Sequence, residues 1–284
     1  MAEIEKAFKK SYAVCSGHPS IFLPYILGNI LSLFLVIFLF FSIILTLGID
    51  LSSIDSLTEA ELYLLLKNAL TPGTIFFILF GVLAAIIVGA VINAAARGAT
   101  VYYARQIIKN AEEQPKLFEG AKKYALSLFG FSVFMFFINA AAVSVFLVLV
   151  VLSSAAGGFV SAALAILLIF LLAVSLVVVN AGAIFSPQFI AGEDKGIISG
   201  LKESFGFVFS NLFSVFVYVI VSIFVIAAFA ISTGIVSFIA EQVFKFIPFL
   251  KEFSAFLINI LAFVAGAAIS AYLETVKTAF VLER

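Results

Sequence analysis

Between Ala125 and Gly192 the chain carries no charged residue. Few folded states tolerate this. A soluble domain spreads charges along its length, at about a quarter of its residues. A helix that crosses a membrane instead needs about 20 mostly apolar residues in a row. The charge-free interval holds two such runs, residues 126–152 and 159–187, joined by the uncharged hairpin Ser153-Ser-Ala-Ala-Gly-Gly158. Four more runs fit the same description: 21–47, 74–110, 212–238 and 253–280. The whole chain has 284 residues, 64% hydrophobic and 11% charged. The expected fold is an all-α, polytopic membrane protein with six transmembrane helices arranged as three hairpins.

The segments before the odd-numbered spans have a character of their own. Residues 2–16 place Ile4, Phe8, Tyr12 and Cys15 on one helical face, with Glu5, Lys6, Lys9 and Lys10 elsewhere. An apolar stripe opposite charge predicts a helix lying in the headgroup plane. Residues 117–127 form a second such piece. The stretch Gly192-Glu-Asp-Lys-Gly-Ile-Ile-Ser-Gly-Leu-Lys-Glu-Ser-Phe205 is a charged turn followed by a third. Each hairpin is thus expected to follow a cytoplasmic-side amphipathic helix. The first apolar run is too long for the core of a cleavable signal peptide, about 7–15 residues. Between the first two spans, Ser56-Leu-Thr-Glu59 reads as a capping box heading a short helix that ends near Leu70.

With six spans, thirteen of the sixteen Lys and Arg residues fall on the side of both termini. Lys67, Lys245 and Lys251 fall on the other. This asymmetry predicts cytoplasmic N- and C-termini in a cell membrane. Aligning Ala7-Phe-Lys-Lys-Ser-Tyr-Ala13 with Gly200-Leu-Lys-Glu-Ser-Phe-Gly206 gives small, apolar, Lys, charged, Ser, aromatic, small. Gly120-Ala-Lys-Lys-Tyr-Ala125 fits with its aromatic one place early and no Ser. Two readings stay open: a single membrane domain built of repeat units 1–110, 115–192 and 193–284, or the basic, aromatic flanks common at membrane boundaries.

Sites of chemistry are few. There is no phosphate loop, dinucleotide-binding motif or metal-ligand spacing. One cysteine (Cys15) and one histidine (His18) build neither a disulfide nor a zinc centre. No enzymatic activity, cofactor or metal is expected, and zero net charge gives no field for nucleic acid. Five of the six spans contain one asparagine, among them Asn93, Asn139 and Asn180. In hydrocarbon each amide needs a partner, either another helix or a polar cavity. Arg97, Glu274 and Lys277 lie near the ends of the second and sixth spans. Arg97 and Glu274 are each the first charge met on leaving an even-numbered span, so an ion pair between them is expected. Lys9, Lys10, Tyr12, Lys122, Lys123, Tyr124, Lys202 and Phe205 are the expected interfacial lipid contacts.

The run Ser186-Pro-Gln-Phe-Ile-Ala-Gly-Glu-Asp-Lys-Gly196, then Gly200-Leu-Lys-Glu-Ser-Phe205 and Asn211-Leu-Phe213, resembles prokaryotic six-span families of unknown function. Those families are related to the membrane domain of glycerophosphoryl diester phosphodiesterase. Gly200 stands where their pattern has alanine. The resemblance implies a membrane location. The hydrolase domain is not in this sequence, so the resemblance implies no phosphodiesterase activity. The expected role is that of a structural or accessory protein acting through membrane lipids, a membrane protein partner or copies of itself. The alternative is a transporter or channel for a small solute or lipid.

Overall fold

The computed structural model describes residues 2–48, 58, 61, 64, 67–109, 116–244 and 248–283, and among the described residues there is no strand. Among the described residues the α-helices followed over their length are, in order, α1 (Ala2–Gly17), α2 (Leu23–Leu47), α3 (Pro72–Lys109), α4 (Glu119–Ser153), α5 (Gly158–Ala183), α6 (Ile197–Ser210), α7 (Leu212–Phe244) and α8 (Pro248–Leu282). The chain is an all-α polytopic fold. Six of its helical stretches are long and apolar enough to cross a membrane, those around α2, α3, α4, α5, α7 and α8. The capping box expected at Ser56 and Glu59 lies outside the described residues. Two residues further on, Thr58 and Glu61 cap one another, with the Thr58 N–H donating to Glu61 Oε2 at 2.9 Å.

The core occupies one end of the bundle. Buried side chains concentrate where the spans approach the two termini: 94–107 in α3, 120–135 in α4, 182–192 at the end of α5 and just beyond it, and 267–281 in α8. Towards the opposite, hairpin end, Phe38, Phe76, Phe136, Ile166, Phe224 and Phe256 are exposed. Lipid tails are as apolar as these side chains, so nothing drives them inwards. Helices must then be joined by close backbone approach. α3 and α4 form the most extensive helix pair, and they cross at Gly98 and Gly120. A Cβ on Gly120 would collide with the Gly98 carbonyl and with Tyr102.

Pro187 organises the end of the fourth span. A proline ring clashes with the carbonyl four residues earlier, here that of Ala183, and α5 ends at Ala183. The chain turns and continues as one π-helical turn, Gln188–Gly192. Ser204 of α6 takes up the groups this break leaves unpaired. Its hydroxyl donates to the Gly182 carbonyl at 2.6 Å and accepts from the Phe185 N–H at 3.1 Å.

Two expectations need correction. Residues 117–127 are not a separate helix: from Glu119 they are the opening turns of the 35-residue α4. Nothing there resembles the Gly17-His18-Pro19 break before α2 or the non-helical Asn211 (φ −127°) before α7. The buried stripe of α1 is also rotated from the expected one. Ile4, Ala7, Ser11, Val14 and Cys15 are buried, whereas Tyr12 is 70% exposed. α1 lies on α8, with Ile4 and Ala7 in one cluster with Val276, Ala279 and Phe280. That contact selects small side chains and turns the tyrosine outwards.

The three lead-in segments meet the bundle in parallel ways. Ala7, Gly120 and Gly200 are all buried, as are Ser11, Tyr124 and Ser204 four residues later, while Lys9, Lys122 and Lys202 are all exposed. α1 rests on α8, the first turns of α4 on the end of α3, and α6 on the end of α5. Each lead-in therefore packs on an even-numbered span of a different hairpin.

Candidate functional site

Glu274 is buried in α8, and its carboxylate gathers groups from three parts of the chain. Lys277, one turn further along the same helical face, donates to Oε1 at 2.6 Å. Gln188, placed by the π-turn, donates through Nε2 to Oε2 at 2.7 Å. Arg97 of α3 brings Nε to 3.3 Å of Oε1. The expected Arg97–Glu274 pair is therefore present, and Lys277 joins it. Two cations share one carboxylate, and among the described residues no other acid forms an ion pair with either of them.

The cluster floors a cleft of about 340 Å³. α3 and α7 both flank α8 but do not pack along one another, and the cleft is the space between them. Tyr25, Ile184 and Tyr218 line it near the charges; Ser222, Ile223, Ile226 and Ser270 line it along α7 and α8. Arg97 stays 34% exposed. Arg97 Nε and Ser222 Oγ are buried atoms without a hydrogen-bond partner, as is Gln188 Oε1 behind the cluster. Arg97 stands 25 residues beyond Pro72, about 38 Å along the helix axis. A hydrocarbon layer is about 30 Å thick, so the charges reach the headgroup level on the side of the termini.

Between the cluster and the termini the bundle is filled with aromatic rings. Phe185 lies 5.0 Å from Phe207 and 5.7 Å from Tyr218, and Phe207 lies 5.1 Å from Phe280, measured between ring centroids. Of the other recesses between spans, one of about 310 Å³ between α7 and α8 is partly polar, lined by Ser237, Glu241, Ser254 and Asn259, and two are apolar. One of about 180 Å³ between α2 and α3 is lined by Leu35, Phe38, Leu39, Phe77, Gly81 and Val88. Another of about 250 Å³ adjoins Leu27, Gly28, Leu31 and Val91.

The other expected site residues divide. Asn93 lines the cleft above Arg97. Asn139 and Asn180 instead bond to each other across α4 and α5, at 3.3 and 3.1 Å. Of the expected lipid contacts, Tyr12, Lys122 and Lys202 are exposed, Lys9 pairs with Glu5 at 2.6 Å and Lys10 with Glu283 at 2.6 Å. Lys123 pairs with Asp194 at 3.0 Å. Tyr124 is not a surface residue: it is 4% exposed and donates to Asp194 Oδ1 at 2.9 Å. Phe205 is half-buried, its ring against Gly182. These two differ from expectation because the lead-ins lie on neighbouring helices, which cover their aromatic faces. Asp194 takes φ 59°, a region aspartate tolerates better than most residues. The hydrogen bonds from Lys123 and Tyr124 hold its carboxyl below the usual range.

Sequence reasoning missed Gln188, Tyr25, Tyr218 and Ser222. Gln188 had a signal, as the only glutamine in the charge-free interval. Among the described residues no three His, Cys, Asp or Glu side chains are grouped to hold a metal ion. Comparison with known protein families, with curated proteins and with solved structures finds no match.

Proposed function

We propose that this chain is an accessory protein of the cell membrane that acts through lipid and protein contacts rather than by catalysing a reaction. The observation that carries this reading is the uneven bundle. The end near the termini is packed with aromatic rings. Two recesses beside α2 and α3, one in the hairpin half of the bundle and one nearer the termini against Phe118 and Ala121, are apolar and sized for acyl chains. The polar cleft stops at the ion cluster, and beyond it lie Phe185, Phe207 and Phe280. A channel would need a polar path through that layer.

In this reading both termini face the cytoplasm and the exposed Lys9, Lys122 and Lys202 lie near lipid phosphates. The amphipathic lead-ins set the depth and angle of each hairpin. The shared burial of Ala7, Gly120 and Gly200 supports treating the three hairpins as one repeated unit. The partners are membrane lipids and either a second copy or another membrane protein. A reporter fused after residue 60 that behaved as cytoplasmic would overturn the orientation.

The test is extraction of the protein with its surrounding lipid, followed by native mass spectrometry and by reconstitution in liposomes. The expected result is retained lipid or protein partners and no solute flux above that of empty liposomes. Saturable flux of a small solute would replace this reading with a transporter.

A further inference from the structure

We propose that the cleft over Glu274 is a binding site for one singly charged oxyanion, the phosphodiester head group of an anionic membrane lipid, whose chains run down the α7 side. The proposal rests on the lipid-contact reading above, and names the ligand.

Charge is the first argument. Arg97 and Lys277 carry two positive charges and Glu274 one negative, which leaves the cluster one charge in excess. An uncompensated charge at the membrane boundary is met by a partner or by water. The excess is a single unit, so a monoanion balances it and a zwitterionic head group does not. Donors are the second argument. Arg97, 34% exposed, and Ser222 both line the cleft, and Ser222 Oγ and Arg97 Nε complete no hydrogen bond of good geometry, the Nε resting 3.3 Å from Glu274 Oε1. Arginine holds its donors in a planar fork that matches phosphate oxygens. Lys277 donates to Glu274 at 2.6 Å, whereas Arg97 approaches the same carboxylate only through Nε at 3.3 Å, so the arginine is the cation more open to a second anion.

Shape and depth are the third argument. The charged floor is nearest the termini, at headgroup level. From there the lining becomes Ile223 and Ile226, 59% and 51% exposed. A lipid of the leaflet on the terminal side would place its head on the charges and its chains along these isoleucines. Because α3 and α7 are not packed together, it enters sideways without unfolding a helix.

A water-borne phosphodiester shares the head-group chemistry, so the experiment separates the two sources. The purified full chain in a neutral detergent is titrated with phosphatidylglycerol, with phosphatidylcholine of the same chains, and with dimethyl phosphate. Binding is read by native mass spectrometry, and by the temperature at which the single buried Cys15 becomes reactive to a maleimide dye. The expected result is one tightly held phosphatidylglycerol per chain, bound at least about tenfold more tightly than phosphatidylcholine, a difference of about 1.4 kcal/mol. Dimethyl phosphate should give little shift. An equal shift with dimethyl phosphate would overturn the lipid source and assign the site to a soluble anion. Equal binding of the two lipids would overturn the site, while retained lipid of either kind would leave the accessory reading standing.

Two variants guard against loss of folding. Lys277→Met leaves Arg97 and Glu274 balanced and should abolish the preference for the anionic lipid. Ile226→Trp lies outside the ion cluster, on an exposed face, and should block binding while the melting temperature of the lipid-free protein stays unchanged. An undiminished preference in both variants would refute the site.

Discussion

Glu274→Gln preserves the shape of the side chain and removes its charge, and the arrangement around it fixes what should follow. The carboxylate faces Lys277 at 2.6 Å and Arg97 at 3.3 Å. At an effective dielectric of about 20, attractions at these distances are of the order of 5–6 kcal/mol each before desolvation is subtracted. Breaking a buried pair by removing one partner costs about 3–5 kcal/mol, because the remaining charge is left without compensation. Two cations are left here and they also repel each other, so a loss of about 4 kcal/mol is expected. For a chain of this size that corresponds to a fall in melting temperature of about 10 °C. The assay is built into the sequence. The chain has one cysteine and no tryptophan. Cys15 is buried, and burial pushes its thiol pKa up. Both features keep it unreactive until the fold opens, so maleimide labelling on heating reports unfolding directly. Lys277→Met alone should cost much less, because a balanced Arg97–Glu274 pair remains. Adding Lys277→Met to Glu274→Gln should recover at least half of the loss, since one cation replaces two. A fall under about 2 °C in the single variant, or a double variant that melts no higher, would refute the charge argument.

Three further outcomes follow from the same structure. Gly120→Ala places a methyl group against the Gly98 backbone and Tyr102. It should separate α3 from α4 and prevent recovery of folded protein, whereas Gly206→Ala, which meets nothing, should be recovered at normal yield in a detergent-resistant form. Ser204→Ala leaves the buried Phe185 N–H and Gly182 carbonyl without a side-chain partner. It should cost about 1–3 kcal/mol in the same labelling melt and speed hydrogen exchange at Phe185. Asp194, held below its ordinary pKa of 3.8 by Lys123 and Tyr124, contributes stability that is present above that value. It is lost as pH falls through the still lower folded value. Asp194→Asn should therefore remove part of the acid sensitivity below pH 4, measured as melting temperature against pH, and leave the rest of the profile parallel.

The sequence carried some of this plainly. The charge-free interval forces membrane spans because no other environment accepts 125–192. Arg97 and Glu274 could be paired from sequence because each is the first charge beyond an apolar run, and helices of similar length bring such positions to the same depth. Gln188 could not be placed that way. It lies 86 residues from Glu274, and its position depends on Pro187 ending α5 four residues upstream and on Ser204 closing the break. The rotated face of α1 was equally hidden. Spacing alone marks Ile4, Phe8, Tyr12 and Cys15 as a stripe. A neighbour that requires small side chains selects Ala7 and Ser11 instead, and only packing reveals the neighbour. Tyr124 was misread for the same reason, because its hydroxyl partner, Asp194, sits in a turn 70 residues away.

The uneven packing follows from the physics of lipid solvent. Apolar side chains gain nothing by leaving lipid for one another, so cohesion depends on close backbone approach and on polar groups that need partners. This chain places both at the end near its termini: the Gly98–Gly120 crossing, the Ser204 bridge and the Glu274 cluster. At the border of that packed end, α4 and α5 share the Asn139–Asn180 pair, a bond worth about 0.6 kcal/mol on average in a membrane. The hairpin ends of the spans, where few side chains are buried, carry the smaller share of that cohesion. In the proposed site, a lipid entering sideways between α3 and α7 would lay its chains along the less cohesive part of the bundle and set its head group on the charged floor. Such an arrangement would permit entry without global unfolding and would place head-group selection at Arg97 and Lys277, both held by Glu274.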